Sequence, residues 1–259
     1  LNKEKLLKDL RKVKNIKEKS CAIVFMHSCK FSKHEREAEE VAKGLGFSHV
    51  SVSYRTSQIM KYVMRGDTTV ADAYLSPVLN KYIENLYSEF DGDISSKISF
   101  MQSNGGLTNA TLFSGKDSIL SGPAGGVIAA TVLSEALNIH DIITYDMGGT
   151  STDACMIRNG AYGMNPEGMV GWYPNRVPQI DINTVGAGGG SIAYLEAGNF
   201  LNVGPHSAGA EPGPACYGKG GTQPTVTDAN VVLGRFLPSD ALGGSILIDV
   251  KAAESAITS

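Results

Sequence analysis

The 259 residues carry 42% hydrophobic and 19% charged side chains at a net charge of −3, a balance that fits a globular protein with room for one large or two smaller domains. So small a net charge excludes a strong general pull toward nucleic acid or anionic membrane. The charge is uneven, however: residues 1–20 hold eight basic side chains against Glu4, Asp9 and Glu18, net +5, which leaves −8 for the remainder.

Leu6, Leu10, Val13 and Ile16 recur at helical spacing. That segment is therefore predicted to be an amphipathic helix with a lysine-rich solvent face rather than a nucleic-acid arm. It lacks the apolar run of a signal peptide, and no segment is long enough to span a membrane, so a cytoplasmic location with no membrane or nucleic-acid partner is expected. The chain starts with Leu1 directly inside this helix, and a piece of something longer is expected. Cys21, Cys29, Cys155 and Cys216 form no CxxC pair and no metal-ligand spacing, and are read as reduced thiols.

Further along, Cys21–His27 reads as a buried strand, Ser32–Leu45 as a helix stopped by Gly46, and His49–Tyr54 as an alternating strand. Asp67 to Glu89 is glycine-free and periodic, a helix with Pro77 inside it, and Lys97–Ser103 is strand-like. A second block opens at Gly122-Pro123-Ala124-Gly125-Gly126 with a small-residue helix to Leu137. Ile142–Met147 follows as a strand, and Asn159-Gly160 marks a tight turn between Ala154–Ile157 and Ala161–Met164. Ile180–Val185 is a strand, Ser191–Glu196 and Asn199–Val203 a hairpin, Asp228–Phe236 a short helix, and Val250–Ser259 the start of another. Strands alternating with helices and followed by hairpins predict an α/β fold with a mixed sheet.

The chemistry concentrates in glycine loops. In Tyr145–Asp153 an apolar strand delivers Asp146 at its carboxyl end, where α/β proteins place ligands. Gly148 and Gly149 free the backbone N–H groups to approach phosphate oxygens, and Thr150, Ser151 and Thr152 add hydroxyls. Asp146 and Asp153 supply carboxylates for a hydrated magnesium ion or an oriented water. A bare Gly-Gly needs only a hairpin turn; two aspartates around GGTST favour phosphate handling. The second loop, Gly186–Ser191 with Gly188, Gly189 and Gly190, permits either a close ligand or a sharp reversal. Ser121–Gly126 suits tight helix–sheet contact, or an anion at a helix start. The Gly/Pro-rich stretch 204–221, with His206, Glu211 and Tyr217, is equally a site wall or a rigid surface loop. Asp228 and Arg235, seven apart, are expected on one helix face, more as neighbours' partners than as ligand contacts. Ser103-Asn104-Gly105-Gly106 is read as a functional strand-end turn or, at least equally, a plain turn.

MRGDTTVADAYLSP (64–77), QSNGGL (102–107), LSGPAGGV (120–127), YDMGGTSTD (145–153), DINTVGAGGGS (181–191), VGPHSAGAEPGPACYGKGG (203–221) and TVTDANVVLGR (225–235) occur in this order. Together they strongly resemble the hydantoinase A/5-oxoprolinase family, over nearly everything from Cys21 onward, with 5-oxoprolinase the nearest member type. The resemblance implies an actin-like, sugar-kinase-like ATPase lobe of the ribonuclease H-like kind, incomplete here. Residues 1–118 would belong to the first lobe and its link, and residues 119–259 to a second lobe carrying the phosphate loop. It implies ATP and Mg2+ as cofactors, with Asp146 and Asp153 catalytic and Asp146 on the metal. Gly148, Gly149, Thr150, Thr152 and Gly188–Gly190 would then lie at the nucleotide. The substrate class implied is a cyclic amide opened by phosphoryl activation of its carbonyl, the alternatives being ketone carboxylation and a non-catalytic nucleotide-binding piece. The implied partner is a B-type subunit or domain, in an oligomer. A first-lobe Asp-x-Gly-Gly-Thr loop is absent from this sequence, so full activity is not expected of this piece alone.

Overall fold

The computed structural model describes residues 1–13, 15–90, 97–236, 241–244 and 246–259, with the backbone alone at Val170, Ala241 and Leu242. In chain order its elements are α1 (Lys3–Leu10), β1 (Ser20–Ile23), α2 (Lys33–Gly44), β2 (His49–Val52), α3 (Ser53–Thr56), α4 (Tyr62–Ser88), β3 (Phe100–Met101), β4 (Leu107–Thr108) and α5 (Ser121–Ala136). There follow β5 (Ile142–Met147), β6 (Thr152–Arg158), β7 (Ala161–Tyr162), β8 (Met164–Asn165), β9 (Gly168–Val170), β10 (Tyr173–Asn175), β11 (Gln179–Ile180) and β12 (Asn183–Val185). The chain closes with β13 (Ser191–Glu196), β14 (Phe200–Ser207), α6 (Val226–Val232), β15 (Ala241–Leu242), β16 (Ile246–Leu247) and α7 (Val250–Thr258). The fold is α/β, and it sorts into two compact units: Leu1–His140 with Gly160–Asp181, and Asp141–Asn159 with Ile182–Ser259.

In the first unit β1 and β2 pair in parallel, from Ser20 opposite His49 to Ile23 opposite Val52. Ile23 and Val52 meet Ala38 and Ala42, one turn apart on α2, and Leu6 of α1 leans on the same cluster. The N-terminal helix is shorter than its periodicity predicts. It stops at Leu10, and Asn15 turns into the left-handed region (φ 55°) ahead of a single 3-10 turn at Ile16–Glu18. Val13 is consequently exposed, and Lys14, counted on the basic face, lies outside the described residues.

Strand β1 also ends four residues early. The backbone after it is taken up by buried side chains instead of a ladder: Phe25 N–H donates to Glu35 Oε1 (2.7 Å), while the Phe25 and Met26 carbonyls accept from Arg65 Nη2 (2.6 and 3.0 Å). Glu35 and Arg65 are both fully buried, and Ser53 Oγ joins them, donating to Glu35 (2.5 Å) and accepting from Arg65 Nε (2.9 Å). Buried charge is tolerable only when it is satisfied in this way. Helix α4 begins five residues before the expected Asp67 and so includes Arg65; it runs through Pro77 without ending there. Strand β3 keeps two residues of the predicted Lys97–Ser103. In the turn after it, Gly105 is left-handed (φ +81°), and a Cβ there would stand 2.8 Å from Ile128 Cδ1 of α5.

In the second unit β12, β6 and β5 lie side by side in that order, both pairings antiparallel. Among the described residues β1–β2 is a parallel ladder, whereas β3–β4, β8–β11 and β9–β10 of the first unit are antiparallel, like the two pairings here. The predicted strand Ile180–Val185 is interrupted, with β11 ending at Ile180 and β12 starting at Asn183. Asn159 (φ 52°) and Gly160 (φ +75°) both take the left-handed conformation that an Asn-Gly tight turn requires. The expected hairpin of β13 and β14 forms, with β14 extended to Ser207.

Helix α6 is seven residues long and holds the Gly/Pro stretch. Asp228 is fully buried in a capping box with Thr225, and its carboxylate also accepts the Ala215 and Cys216 N–H groups (3.2 and 2.8 Å). Cys216, Val231, Ile248 and Ala253 pack beneath. The helix ends at Val232, so Arg235 is off it and donates to Asn230 Oδ1 (3.0 Å). The face shared by Asp228 and Arg235 that seven-residue spacing suggests is thus not formed.

Candidate functional site

Strands β5 and β6 are two arms of one hairpin, with Met147 opposite Thr152 and Asp146 opposite Asp153. Four residues, Gly148 to Ser151, make the turn, closed by Gly148 N–H to Ser151 O (2.9 Å). Directly opposed residues of an antiparallel pair share a face. Asp146 and Asp153 therefore project from one side of the sheet, and Met147 and Thr152 from the other.

The loop after β12 lies against this turn. Gly189 N–H donates to Gly148 O (2.9 Å) and Gly190 N–H to Gly149 O (2.6 Å), while Thr152 Oγ1 donates to Ala187 O (2.5 Å). A Cβ on Gly188 would come within 2.7 Å of Gly148 O, Thr150 N and Ser151 N, so only glycine fits where the two backbones touch. Gly149 is different: its φ is not positive, and a Cβ there would meet nothing within 4 Å. Gly188 and Gly190 of the second loop are needed for the backbones to meet; the glycines of the first are not held to glycine by space. Helix α6 locks the assembly from outside, since Thr227 donates to Gly189 O from both N–H and Oγ1 (2.8 Å each).

Between these parts is a cavity of about 450 Å³. Gly148, Gly149, Gly189 and Gly190 form one part of its lining; Met147, Gly209, Pro214, Tyr217, Thr227, Asn230 and Phe236 form the rest. No charged side chain lines it among the described residues. The N–H groups of Gly149, Thr150 and Ser151 meet no acceptor among the described residues, which leaves them as donors for an anion. Burial and the neighbouring Cys216 push the Tyr217 phenol up, keeping it a neutral donor. The Cys216 thiol, raised to about 12 by burial and then by Asp228, is too protonated to act as a nucleophile.

The sequence-derived candidates are thus partly assembled. Gly148, Gly149, Gly189 and Gly190 share one cavity, Thr150 is exposed at the turn, and Gly188 is buried beneath it. Thr152, expected to hold phosphate oxygen, is 5% exposed and spends its proton on Ala187 O. Asp146 is exposed, and Asp153 accepts from Thr184 Oγ1 (2.6 Å). Of the Gly/Pro stretch, Gly209, Pro214 and Tyr217 line the cavity, whereas His206 and Glu211 do not. Ser121–Gly126, offered for tight contact, leaves Gly122 and Gly125 with open space around them. Thr227, Asn230 and Phe236 escaped the sequence reading. The i, i+3 spacing of Thr227 and Asn230 is the sequence signal that puts both on one face of α6.

Asp146 and Asp153, opposite one another on the hairpin, are the carboxylates that would hold a magnesium ion. Two carboxylates directly opposite one another repel, and a cation relieves this. Among the described residues no third His, Cys, Asp or Glu joins them, so the remaining ligands would be phosphate oxygens and water, as this ion prefers.

The Hydantoinase/oxoprolinase family model matches residues 65–259. A 5-oxoprolinase of Dictyostelium discoideum is 45% identical over 253 residues, which cover 92% of this chain and 20% of that protein. The caprolactamase subunit alpha of Pseudomonas jessenii is 40% identical over 242 residues, 92% of this chain and 35% of that one. The chain thus spans a fifth to about a third of the length of these relatives. Among solved structures, the nucleotide-free acetone carboxylase of a study on ATP-dependent acetone carboxylation superposes with a TM-score of 0.79 at 26% identity, covering 100% of this chain and 37% of that chain. The ATP-dependent caprolactamase of Pseudomonas jessenii superposes at 0.68 with 37% identity, covering 93% and 36%.

Proposed function

Since the chain belongs to the hydantoinase/oxoprolinase family, we propose that it is part of an ATP-dependent enzyme that opens a cyclic amide of the 5-oxoproline or hydantoin type. The observation that carries this reading is the cavity walled by two interlocked glycine loops on one part and by Tyr217, Asn230 and Phe236 on another. Unused backbone N–H groups suit phosphates; an amide beside aromatic rings suits a planar base. An amide carbonyl is a poor electrophile, and ATP remedies this. The amide oxygen attacks the γ-phosphorus, and ADP leaves. Water then adds to the activated carbon, the ring nitrogen departs with a proton, and a second water releases phosphate from the acyl phosphate.

In this reading the Gly149–Ser151 N–H groups hold phosphate oxygens, and Asp146 and Asp153 hold the magnesium ion, which when bound offsets charge on the phosphates. Gly188 and Thr152 position the loops. Division into a linking part, residues 1–118, and a phosphate-loop lobe, residues 119–259, belongs to the same proposal. So do a cytoplasmic setting and an oligomer with a B-type partner; the relative named subunit alpha supports a multi-subunit assembly. Among the described residues no helix is long and apolar enough to cross a membrane.

One observation favours a second reading, ATP-dependent ketone carboxylation: the acetone carboxylase gives the higher TM-score of the two structures, though at lower identity. ATP hydrolysis by the full-length protein, stimulated in turn by 5-oxoproline, hydantoin and acetone, separates the readings. Stimulation by a cyclic amide is expected, and stimulation by acetone alone would overturn the first reading. Asp146→Ala in that protein is expected to abolish turnover; unchanged turnover removes the hairpin from the mechanism.

A further inference from the structure

The first unit contains a cavity of its own, about 420 Å³, beside β2, α4 and the turn at residues 110–117. Its wall is fixed by one buried carboxylate. Asp72, on α4, accepts from Ser51 Oγ (2.6 Å), Ser76 Oγ (3.2 Å) and the Lys116 N–H (3.2 Å). Ser76 Oγ accepts in turn from Gly115 N–H (3.0 Å). The strand, the helix and the turn are thereby tied to each other before any ligand arrives.

The ties also decide which groups remain available. Ser51 has one hydroxyl proton and gives it to Asp72, so Ser51 Oγ can only accept from His49 Nε2, 3.0 Å away. Nε2 therefore carries the ring proton, and Nδ1 of the neutral imidazole is left with a lone pair. Burial lowers the pKa of this histidine, with Lys43 acting the same way and Asp72 against it, which favours the neutral ring. Lys116 has three ammonium protons and one described side-chain partner, Asp117 (2.6 Å), although its side chain is only 17% exposed. Arg55 uses Nη2 on Glu39 and the Tyr54 hydroxyl; its Nε and Nη1 have no partner among the described residues.

The cavity thus offers two cations with spare donors and one neutral acceptor. Asp72 and Asp117 line it as well, and they oppose a second negative charge on an occupant. We propose that this cavity binds a small monocarboxylic acid bearing an N–H or O–H donor, with Lys116 and Arg55 on the carboxylate and His49 Nδ1 accepting from the donor. The site is separate from the nucleotide reading, because none of its residues takes part in that cavity.

The test is calorimetric titration of the full-length protein, without nucleotide, using 5-oxoproline as probe, a carboxylate beside a lactam N–H. Binding is expected, weakened about tenfold or more by Lys116→Met and by His49→Leu, since a charge-assisted hydrogen bond is lost in the first and the acceptor in the second. Arg55→Gln, at a more exposed position, is expected to weaken it less. Caprolactam, which lacks the carboxylate, and inorganic phosphate are expected to bind at least tenfold more weakly. Equal binding of caprolactam, preferred binding of phosphate, or unaltered affinity in variants whose thermal unfolding matches the parent would each overturn the proposal. Asp146→Ala should bind 5-oxoproline unchanged. Loss of binding there would overturn this site, since Asp146 is not among its residues, whereas loss of ATP turnover with binding retained bears on the phosphate hairpin alone.

Discussion

The two cavities are built in opposite ways. The one in the second unit is lined by glycine backbone, aromatic rings, an amide and a hydroxyl, with no charged side chain among the described residues. The one in the first unit is a web of side chains around Asp72, with Arg55 and Lys116 in its wall. A backbone cavity depends on how closely two loops approach, so side chains matter there mainly by being absent. A side-chain cavity depends on which proton each group has already committed. Substitutions should therefore disturb the two units by different routes.

The largest effect is expected in the first unit, away from its cavity. Arg65→Leu leaves the Phe25, Met26 and Ile59 carbonyls without their donor and Glu35 with less compensation. The expected cost is about 3 kcal/mol or more in denaturant unfolding. A loss below about 1 kcal/mol would mean that this buried web is not what holds the unit together.

Next comes Gly188→Ala, whose Cβ meets three backbone atoms at 2.7 Å. About 1–3 kcal/mol of stability should be lost together with the ATP turnover proposed for the full-length protein, since the loops must part. Gly149→Ala sharpens the contrast. With open space and an ordinary φ it should leave unfolding within about 0.5 kcal/mol of the parent. ATP turnover should nevertheless fall, because a methyl would stand where phosphate is proposed to sit. If Gly149→Ala destabilises as much as Gly188→Ala, the two loops do not divide packing and binding in this way.

The smallest effect concerns reactivity. With its thiol raised to about 12, Cys216 is overwhelmingly protonated at neutral pH and stays so until the medium approaches that value. Peptide mass spectrometry should find it unalkylated by iodoacetamide in the native protein and alkylated after unfolding.

Much of this was legible in the sequence where local chemistry decides. The β13–β14 pair and the Asn-Gly turn follow from apolar runs beside residues that tolerate positive φ. Boundaries failed where a distant group intervened. Strand β1 stops because Arg65, forty residues on, takes the carbonyls of Phe25 and Met26, and no local pattern announces that. The pattern of α1 was periodic enough to suggest a longer helix, but one left-handed Asn15 ends the register.

At the site, residue type was readable and division of labour was not. Glycines 148, 149, 188, 189 and 190 look alike in sequence, yet two of them border the cavity from the hairpin, two from the second loop, and Gly188 is buried beneath. Thr150 lies exposed in the turn, whereas Thr152 opens β6 with its hydroxyl turned to Ala187. Asp228, read as a partner for its neighbours, is that and more: the buried anchor of the Gly/Pro stretch.

The bonds from Gly189 and Gly190 to the hairpin carbonyls have one more consequence. A flexible glycine turn would have to surrender conformational entropy each time an anion docked, at about 1–2 kcal/mol per residue fixed. Here the carbonyls of Gly148 and Gly149 are already tied inward, and the N–H groups of Gly149, Thr150 and Ser151 are left over. That ordering is charged once, when the chain folds, and the donors proposed for a phosphate stand set beforehand.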